Sequence, residues 1–481
     1  MALRLTNTLT RSVQDFEPLE PGKARVYACG PTIYNNAHIG NFRSFVVYDL
    51  LHRYLEWSGY DVRFVMNLTD VDDKTIEAAA QAGVSVAEYT TPFGETILAD
   101  ARTLGILPAD SYPKATEYVD PMVDFVERLE KNGLAYATED GVYFRISAFP
   151  EYGKLKGLDP ASVQSGARVA VDEYEKDDAR DFVLWKSTKP IDEETGAAWD
   201  SPWGRGRPGW HLECSVMAVT ELGETVDIHL GGEDLVFPHH ENEIAQSEGA
   251  TGKRFVRHWV HVKHLILEGR KMSKSLGNSI TVRELLEQGY APAAIRHQLL
   301  SAQYRSELNF TTDGLGASAQ AVQRLLDFHA RLEAATEDPA AAASRVADLS
   351  AAVVDGFREA MDDDLNSAEA LAALFMFVKE VNAELDRSGD RVAPAERAAA
   401  LEALGSVDQV LGLLETAHRG KALDEETVAW IEERIAARRT AREAREWAAA
   451  DAIRDELADR GIVLEDGAQG TRWKRVLSAD T

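Results

Sequence analysis

The chain is poor in cysteine: 481 residues contain only Cys29 and Cys214. Two thiols in so long a chain exclude a disulfide framework. There is no run of eighteen or more apolar residues, so no transmembrane helix and no membrane partner is expected. The opening MALRLTNTLTRSV lacks the apolar stretch and small-residue cleavage site of a secretory signal, and a cytoplasmic enzyme is expected. Positive charge is also scarce, with 52 Lys and Arg against 80 Asp and Glu and a net charge of -28. That excess counts against a nucleic-acid partner unless a local basic surface supplies the phosphate contacts, and it favours solubility. No GxxxxGKS or GxxxxGKT phosphate loop and no repeat of fixed period occurs. Gly204, Gly206 and Gly209 match the spacing of a dinucleotide fingerprint. No apolar strand precedes them and Pro208 interrupts them, so that reading fails.

What is present is the composition of a globular protein, 45% hydrophobic and 27% charged, long enough for two to four domains. The first part alternates strand and helix signals. Arg25–Cys29 reads as a strand, Asn41–Trp57 as a helix closed by Gly59, and Arg63–Leu68 as a second strand. This order implies a parallel α/β sheet with ligands at the carboxyl ends of its strands. Residues 115–200 read as a charged insertion. The sheet pattern resumes with Val226, Ile228 and Leu230, and a further run, Trp259–Leu267, leads to Lys271-Met272-Ser273-Lys274-Ser275. From about Leu315 the pattern is helical: a bundle, then a small C-terminal module.

Two stretches carry chemistry. His38-Ile39-Gly40 stands where a strand turns into a helix, and free N–H groups at a helix start bind anions. His38 can donate to phosphate oxygens, and Gly40 lets a nucleotide approach the backbone. The loop Lys271–Ser275 can bring positive charge to the same phosphates, which suits attack at phosphorus. Each stretch taken alone also fits a capping histidine or a solvated basic loop. His239 and Glu243, four apart, share one face if helical. The two cysteines read more readily as small buried hydrophobes than as metal ligands, because ligands so far apart in sequence are a weak signal. Asp70, Asp72 and Asp73 read as a helix-start cap with solvated charges.

The pairing of His38-Ile39-Gly40 with Lys271-Met272-Ser273-Lys274-Ser275 resembles class I aminoacyl-tRNA synthetases. Four further motifs narrow the resemblance to cysteinyl-tRNA synthetases: Cys29-Gly30-Pro31-Thr32, Asn67-Leu68-Thr69-Asp70-Val71-Asp72-Asp73-Lys74, Gly209-Trp210-His211-Leu212-Glu213-Cys214 and Phe237-Pro238-His239-His240-Glu241-Asn242-Glu243. The resemblance covers essentially the whole chain. In one departure, Asn41 stands where the family usually has a second histidine; its amide can still donate a hydrogen bond.

The resemblance implies a Rossmann-like parallel-sheet catalytic domain with an insertion, an α-helical bundle and a small anticodon-binding module. The implied boundaries are 1–115 and 205–265 for the two catalytic halves, 116–204 for the insertion and 266–314 for the region of the lysine loop. The bundle then spans 315–415 and the module 416–481. The resemblance further implies ligation of L-cysteine to tRNA(Cys) through a cysteinyl-adenylate, by a monomer. One zinc ion per chain would be held by Cys29, Cys214, His239 and Glu243, with magnesium accompanying ATP. His38, Gly40, Asn41, Lys271, Ser273 and Lys274 would serve ATP and catalysis. Thr32, Thr69, Trp210, His229 and Asp234 would line the cysteine pocket.

In the C-terminal module, Arg434, Arg438, Arg439, Arg442 and Arg445 recur at helical spacing. Glu443 and Glu446, interspersed there, favour an exposed helix laced with ion pairs. By resemblance, Arg442, Trp447, Asp451 and Asp466 would contact the anticodon. Two rivals stand beside this reading. A related ligase joins activated cysteine to an amino sugar and would not need residues 416–481. A catalytically silent paralogue would only bind RNA.

Overall fold

The computed structural model describes residues 2–158, 181–272, 278–340, 344–421, 425–444, 446–458, 462–467 and 470–475. Its centre is a parallel sheet of four strands in the order Val256–Val262, Val226–Gly232, Lys23–Ala28, Asp61–Met66. Val26, Ile228 and Val260 are completely buried. Strands covered on both faces carry such apolar runs. Order along the sheet reverses between Lys23–Ala28 and Val226–Gly232, and ligands of open α/β sheets bind beyond the carboxyl ends at such a reversal. Cys29, Asn67 and Asp234 follow three of these strand ends.

The helix Ile39–Trp57 crosses behind the sheet and is buried nearly all round. It starts two residues before the expected Asn41 because His38 caps it: Nδ1 of His38 accepts from the Asn41 backbone N–H at 3.3 Å. Inside it, Asp49 accepts from Arg53 at 2.9 Å and from the Leu107 backbone at 2.8 Å, and pairs with the buried Arg296. Arg296 in turn donates to the Leu411 carbonyl at 2.7 Å. The helix is thereby tied to the helical half. One apolar core runs from the sheet through this helix into the bundle, whose long members are Thr312–Ala334, Val346–Asp362, Ser367–Ser388 and Pro394–Leu411.

The insertion is built on an antiparallel sheet of Ala135–Ala137, Gly141–Phe144, Phe182–Ser187 and Gly206–Pro208. Gly206 and Gly209 sit against this sheet, where an added Cβ would lie 2.1 Å from the Lys186 carbonyl oxygen and 2.3 Å from that of Val183. Close strand packing therefore accounts for those two glycines of the dinucleotide-like spacing. The C-terminal module pairs helices Glu425–Glu443 and Trp447–Ala458 with a hairpin of Ile462–Gly467 and Gly470–Arg475. It has its own small core of Ile431, Leu457 and Ile462. Among the described residues no helix is long and apolar enough to cross a membrane.

Candidate active site and metal centre

The two cysteines meet. Cys29 leaves the Lys23–Ala28 strand and Cys214 lies in the helix Trp210–Leu222, with their sulfurs 3.4 Å apart. Nε2 of His239 is 3.5 Å from the Cys29 sulfur and 3.1 Å from Oε1 of Glu243, which lies 4.0 Å from that sulfur. The four donor atoms all lie within 4.8 Å of one another, and no side chain of the four exceeds 6% exposure. His239 and Glu243 share a face as their spacing predicts, although His239 precedes the regular helix Glu241–Thr251.

The electrostatics of this group are tightly interdependent. Contact with Cys214 and burial push the Cys29 thiol up, while the Cys214 thiol is pushed down, first by its contact with Cys29 and further by His239. Burial works against ionisation of both Glu243 and His239. Their partners overcome it: His229 and His239 hold the carboxyl down, and Cys214 and Glu243 hold the imidazole up. Acid groups gathered in so dry a space need a positive partner. The described residues could hold a metal ion here.

A second layer surrounds the quartet. His229, in the strand Val226–Gly232, donates through Nε2 to Oε2 of Glu243 at 2.9 Å. His211 contacts the far nitrogen of His239 at 2.9 Å. His240 meets His261 at 2.7 Å, and His261 meets the Thr8 hydroxyl at 2.7 Å. Partners on the outer nitrogen fix the tautomer of a ligating histidine. Sequence reasoning gave His211, His240 and His261 no role. His211 and His240 stand inside motifs already quoted, which was the available signal; His261 stands in none.

Of the pocket residues, Thr32 and Thr69 pair as a parallel bridge beyond the strand ends. Trp210 is 40% exposed, so it is no core residue; its ring lies 4.3 Å from that of His239. His229 is buried beneath them, and Asp234 is exposed in the turn after Gly232. The helix start and the lysine loop also converge. Ile39 N–H donates to the Ile280 carbonyl at 2.8 Å, and His38 pairs with Thr281. A Cβ on Gly40 would sit 2.7 Å from Cε of Met272 and 3.0 Å from Nδ1 of His38. Lys271 is exposed beside this contact, whereas Ser273 and Lys274 lie outside the described residues.

The aspartates divide. Asp72 caps the helix Asp73–Ala82, and Asp73 pairs with Lys186 and Arg207. Asp70 is not a solvated charge: it is buried and accepts from the Thr116 hydroxyl at 2.6 Å.

In the C-terminal module the arginines at helical spacing do not all face solvent. Arg438 is buried and Arg434 pairs with Glu456 of the next helix. Arg442, Trp447 and Asp451 are exposed. Asp466 lies in the hairpin strand Ile462–Gly467, and Arg445 lies outside the described residues.

Comparison with known proteins fits this arrangement. The architecture is similar to a structure of Mycobacterium tuberculosis methionyl-tRNA synthetase in complex with methionyl-adenylate. The TM-score is 0.58 at 16% identity, covering 81% of this chain and 90% of that one. A second structure of that enzyme, bound by methionyl-adenylate, aligns equally well at 15% identity. These likenesses show the fold, and a family model for the class I catalytic domain over residues 15–320 defines it as that of a class I aminoacyl-tRNA synthetase. Family models match in register with the three parts of the chain. They are tRNA synthetases class I (C) catalytic domain over residues 15–320, DALR domain over 356–415 and Cysteinyl-tRNA ligase anticodon binding domain over 429–473. Among curated proteins, the cysteine–tRNA ligase of Koribacter versatilis is 47% identical over 506 residues, covering 99% of this chain and 100% of the relative. That of Solibacter usitatus is 48% identical over 477 residues with the same coverage. The chain belongs to the cysteine–tRNA ligase family. The match over 429–473 removes the ground for an amino-sugar ligase without an anticodon module, and no finding supports a silent paralogue.

Proposed function

We infer that this chain ligates L-cysteine to tRNA(Cys) at the expense of ATP. A carboxylate oxygen of cysteine attacks the α-phosphorus of ATP, the bond to the bridging oxygen breaks, and pyrophosphate leaves. The 2′-hydroxyl of the terminal tRNA ribose then attacks the adenylate carbonyl, and AMP leaves. The observation that carries the reading is the buried quartet of Cys29, Cys214, His239 and Glu243 beside the switch point of the sheet.

Zinc is the proposed occupant, one per chain. Bonds of about 2.0–2.3 Å in a tetrahedron give edges of about 3.3–3.8 Å between donors. The separations of 3.4, 3.5 and 3.1 Å fall at or near that range, and 4.0 Å lies just beyond it. When bound, such a metal offers a soft thiolate an interaction that a hydroxyl or methyl cannot match. An apolar pocket alone separates substrates differing by one small group by only about 1–3 kcal/mol. Metal recognition of sulfur accounts for discrimination against serine and alanine without an editing domain.

The remaining roles belong to the same proposal. His38, Lys271 and Lys274 stabilise phosphate charge, with Ser273 beside them, and magnesium accompanies ATP. Gly40 gives the nucleotide room, and Asn41 holds His38. Asp234 faces the substrate ammonium, Trp210 closes over the small side chain, and Thr32, Thr69 and His229 complete the pocket. Arg442, Trp447, Asp451 and Asp466 contact the anticodon. The chain works as a cytoplasmic monomer divided at the boundaries given above. Cysteine-dependent ATP–pyrophosphate exchange, with serine as control, tests the reading. Exchange with cysteine alone supports it, and equal exchange with serine contradicts it.

A further inference from the structure

Asn67 lies one residue past the Asp61–Met66 strand and is completely buried. Its side chain spans two parts of the site. Oδ1 accepts from the Gly30 backbone N–H at 2.9 Å, and Nδ2 donates to the Thr69 hydroxyl oxygen at 3.2 Å. Gly30 adjoins Cys29 of the metal quartet, and Thr69 is a proposed pocket residue. The contact is close: a Cβ on Gly30 would lie 1.7 Å from the Asn67 carbonyl oxygen. The surrounding backbone is tied as well. Thr69 N–H donates to the Pro31 carbonyl at 3.1 Å, and Ile33 N–H to the Thr69 carbonyl at 3.0 Å.

The amide cannot be turned round. A backbone N–H only donates, so the end of Asn67 that meets Gly30 must be its oxygen. The other end is then an NH2 group, and it too only donates. The Thr69 oxygen is therefore committed as an acceptor, and its own hydrogen must point elsewhere. The buried carboxyl of Glu213 is near enough for that hydroxyl to favour its charge slightly, yet neither Glu213 oxygen is hydrogen-bonded.

We propose that Asn67 is a positioning residue that makes the Thr69 hydroxyl a donor into the amino-acid pocket. This rests on the reading of Thr69 as a pocket residue. The ammonium of cysteine has no lone pair to accept such a hydrogen. The hydrogen that Thr69 donates can therefore go only to the acceptor side of the substrate, its carboxylate or its sulfur, while one lone pair of the hydroxyl stays open. One amide thus holds the turn carrying a metal ligand and the polarity of a pocket hydroxyl in fixed relation.

The test is a double-mutant cycle in the full-length enzyme, read by ATP–pyrophosphate exchange. Asn67→Asp keeps an acceptor for Gly30 but has no N–H, so it draws the Thr69 hydrogen onto itself. KM for cysteine is expected to rise about ten- to a hundredfold, the effect of losing a hydrogen bond to a charged group. KM for ATP should stay within about twofold, the scatter expected for independent sites, with metal content unchanged, whereas the melting temperature should fall because a carboxyl is now buried. Thr69→Val should raise KM for cysteine similarly, and adding Asn67→Asp to it should cost nothing more. Additive effects, or an unchanged cysteine KM in Asn67→Asp, would overturn the proposal while leaving Thr69 in the pocket. An unchanged KM in Thr69→Val would overturn the placement of Thr69 and the proposal with it. Should Asn67→Asp not fold, Asn67→Ala, which likewise offers Thr69 no donor, carries the same cycle.

Discussion

His38 and Asn41 cap each other. Nδ1 of His38 accepts from the Asn41 backbone N–H at 3.3 Å, and Oδ1 of Asn41 accepts from the His38 backbone N–H at 3.1 Å. The residue that departs from the usual family pattern therefore closes a capping box at the start of the Ile39–Trp57 helix. Asn41→Ala should destabilise the protein by about 1 kcal/mol, the usual value of such a cap, and raise KM for ATP by loosening the His38 backbone, which loses its Asn41 Oδ1 acceptor. Asn41→Asp keeps the accepting oxygen and should melt within a degree or so of the parent. Thermal melts and exchange kinetics on the two variants check this. Equal behaviour of both would show that the cap is idle.

Metal content follows from the quartet. The purified protein should hold one zinc per chain by atomic absorption, and Cys214→Ser should lower zinc affinity by more than about 100-fold, beyond what loss of an outer-shell partner costs. Full removal of zinc by a chelator should abolish activation of cysteine, and added zinc should restore it. Unimpaired activation without metal would separate the quartet from substrate recognition.

Exposure of Trp447, at 58%, places an indole on the surface of the C-terminal module. Stacking on an unpaired base contributes about 1–3 kcal/mol. Trp447→Ala should raise KM for tRNA(Cys) roughly tenfold or more while leaving tRNA-independent pyrophosphate exchange unchanged. A matched loss in both assays would locate the damage in the fold instead.

His297 supplies a pH dependence away from the metal. Burial lowers its pKa from 6.5 to about 4, helped by the Arg324 charge, while the ring contacts the Ser318 hydroxyl at 2.9 Å and the edge of Phe375. A histidine harder to protonate in the folded state favours folding fully above pH 6.5, and that contribution is lost as pH falls toward 4. The loss is at most about 3 kcal/mol and smaller for the ring's partial exposure. His297→Gln should flatten urea-midpoint stability between pH 7 and pH 5 relative to the parent. A parallel decline in both proteins would exclude His297 as a source.

Some of this was legible in the residues and some was not. The parallel strands showed in Val226, Ile228 and Leu230, and the helix showed in the spacing of Phe42, Phe45, Val46 and Leu50. Cys29 and Cys214 stand 185 residues apart, and nothing local tells that two strand-and-helix ends will meet. Only the quoted motifs, taken together, pointed there. Arg438 fits an exposed periodic face by spacing, but the direction of a helix face is set by what packs on it, and Arg438 is buried. Asn67 opens one of the quoted motifs, yet nothing in that motif assigns it a role, which exists only through Gly30 and Thr69.

The most direct test of the account is transfer of labelled cysteine to a tRNA(Cys) transcript, with serine and a tRNA-free reaction alongside. The account predicts charging with cysteine, none with serine, and no acid-precipitable label without tRNA. Comparable charging with serine, or no charging while cysteine-dependent pyrophosphate exchange persists, would contradict it.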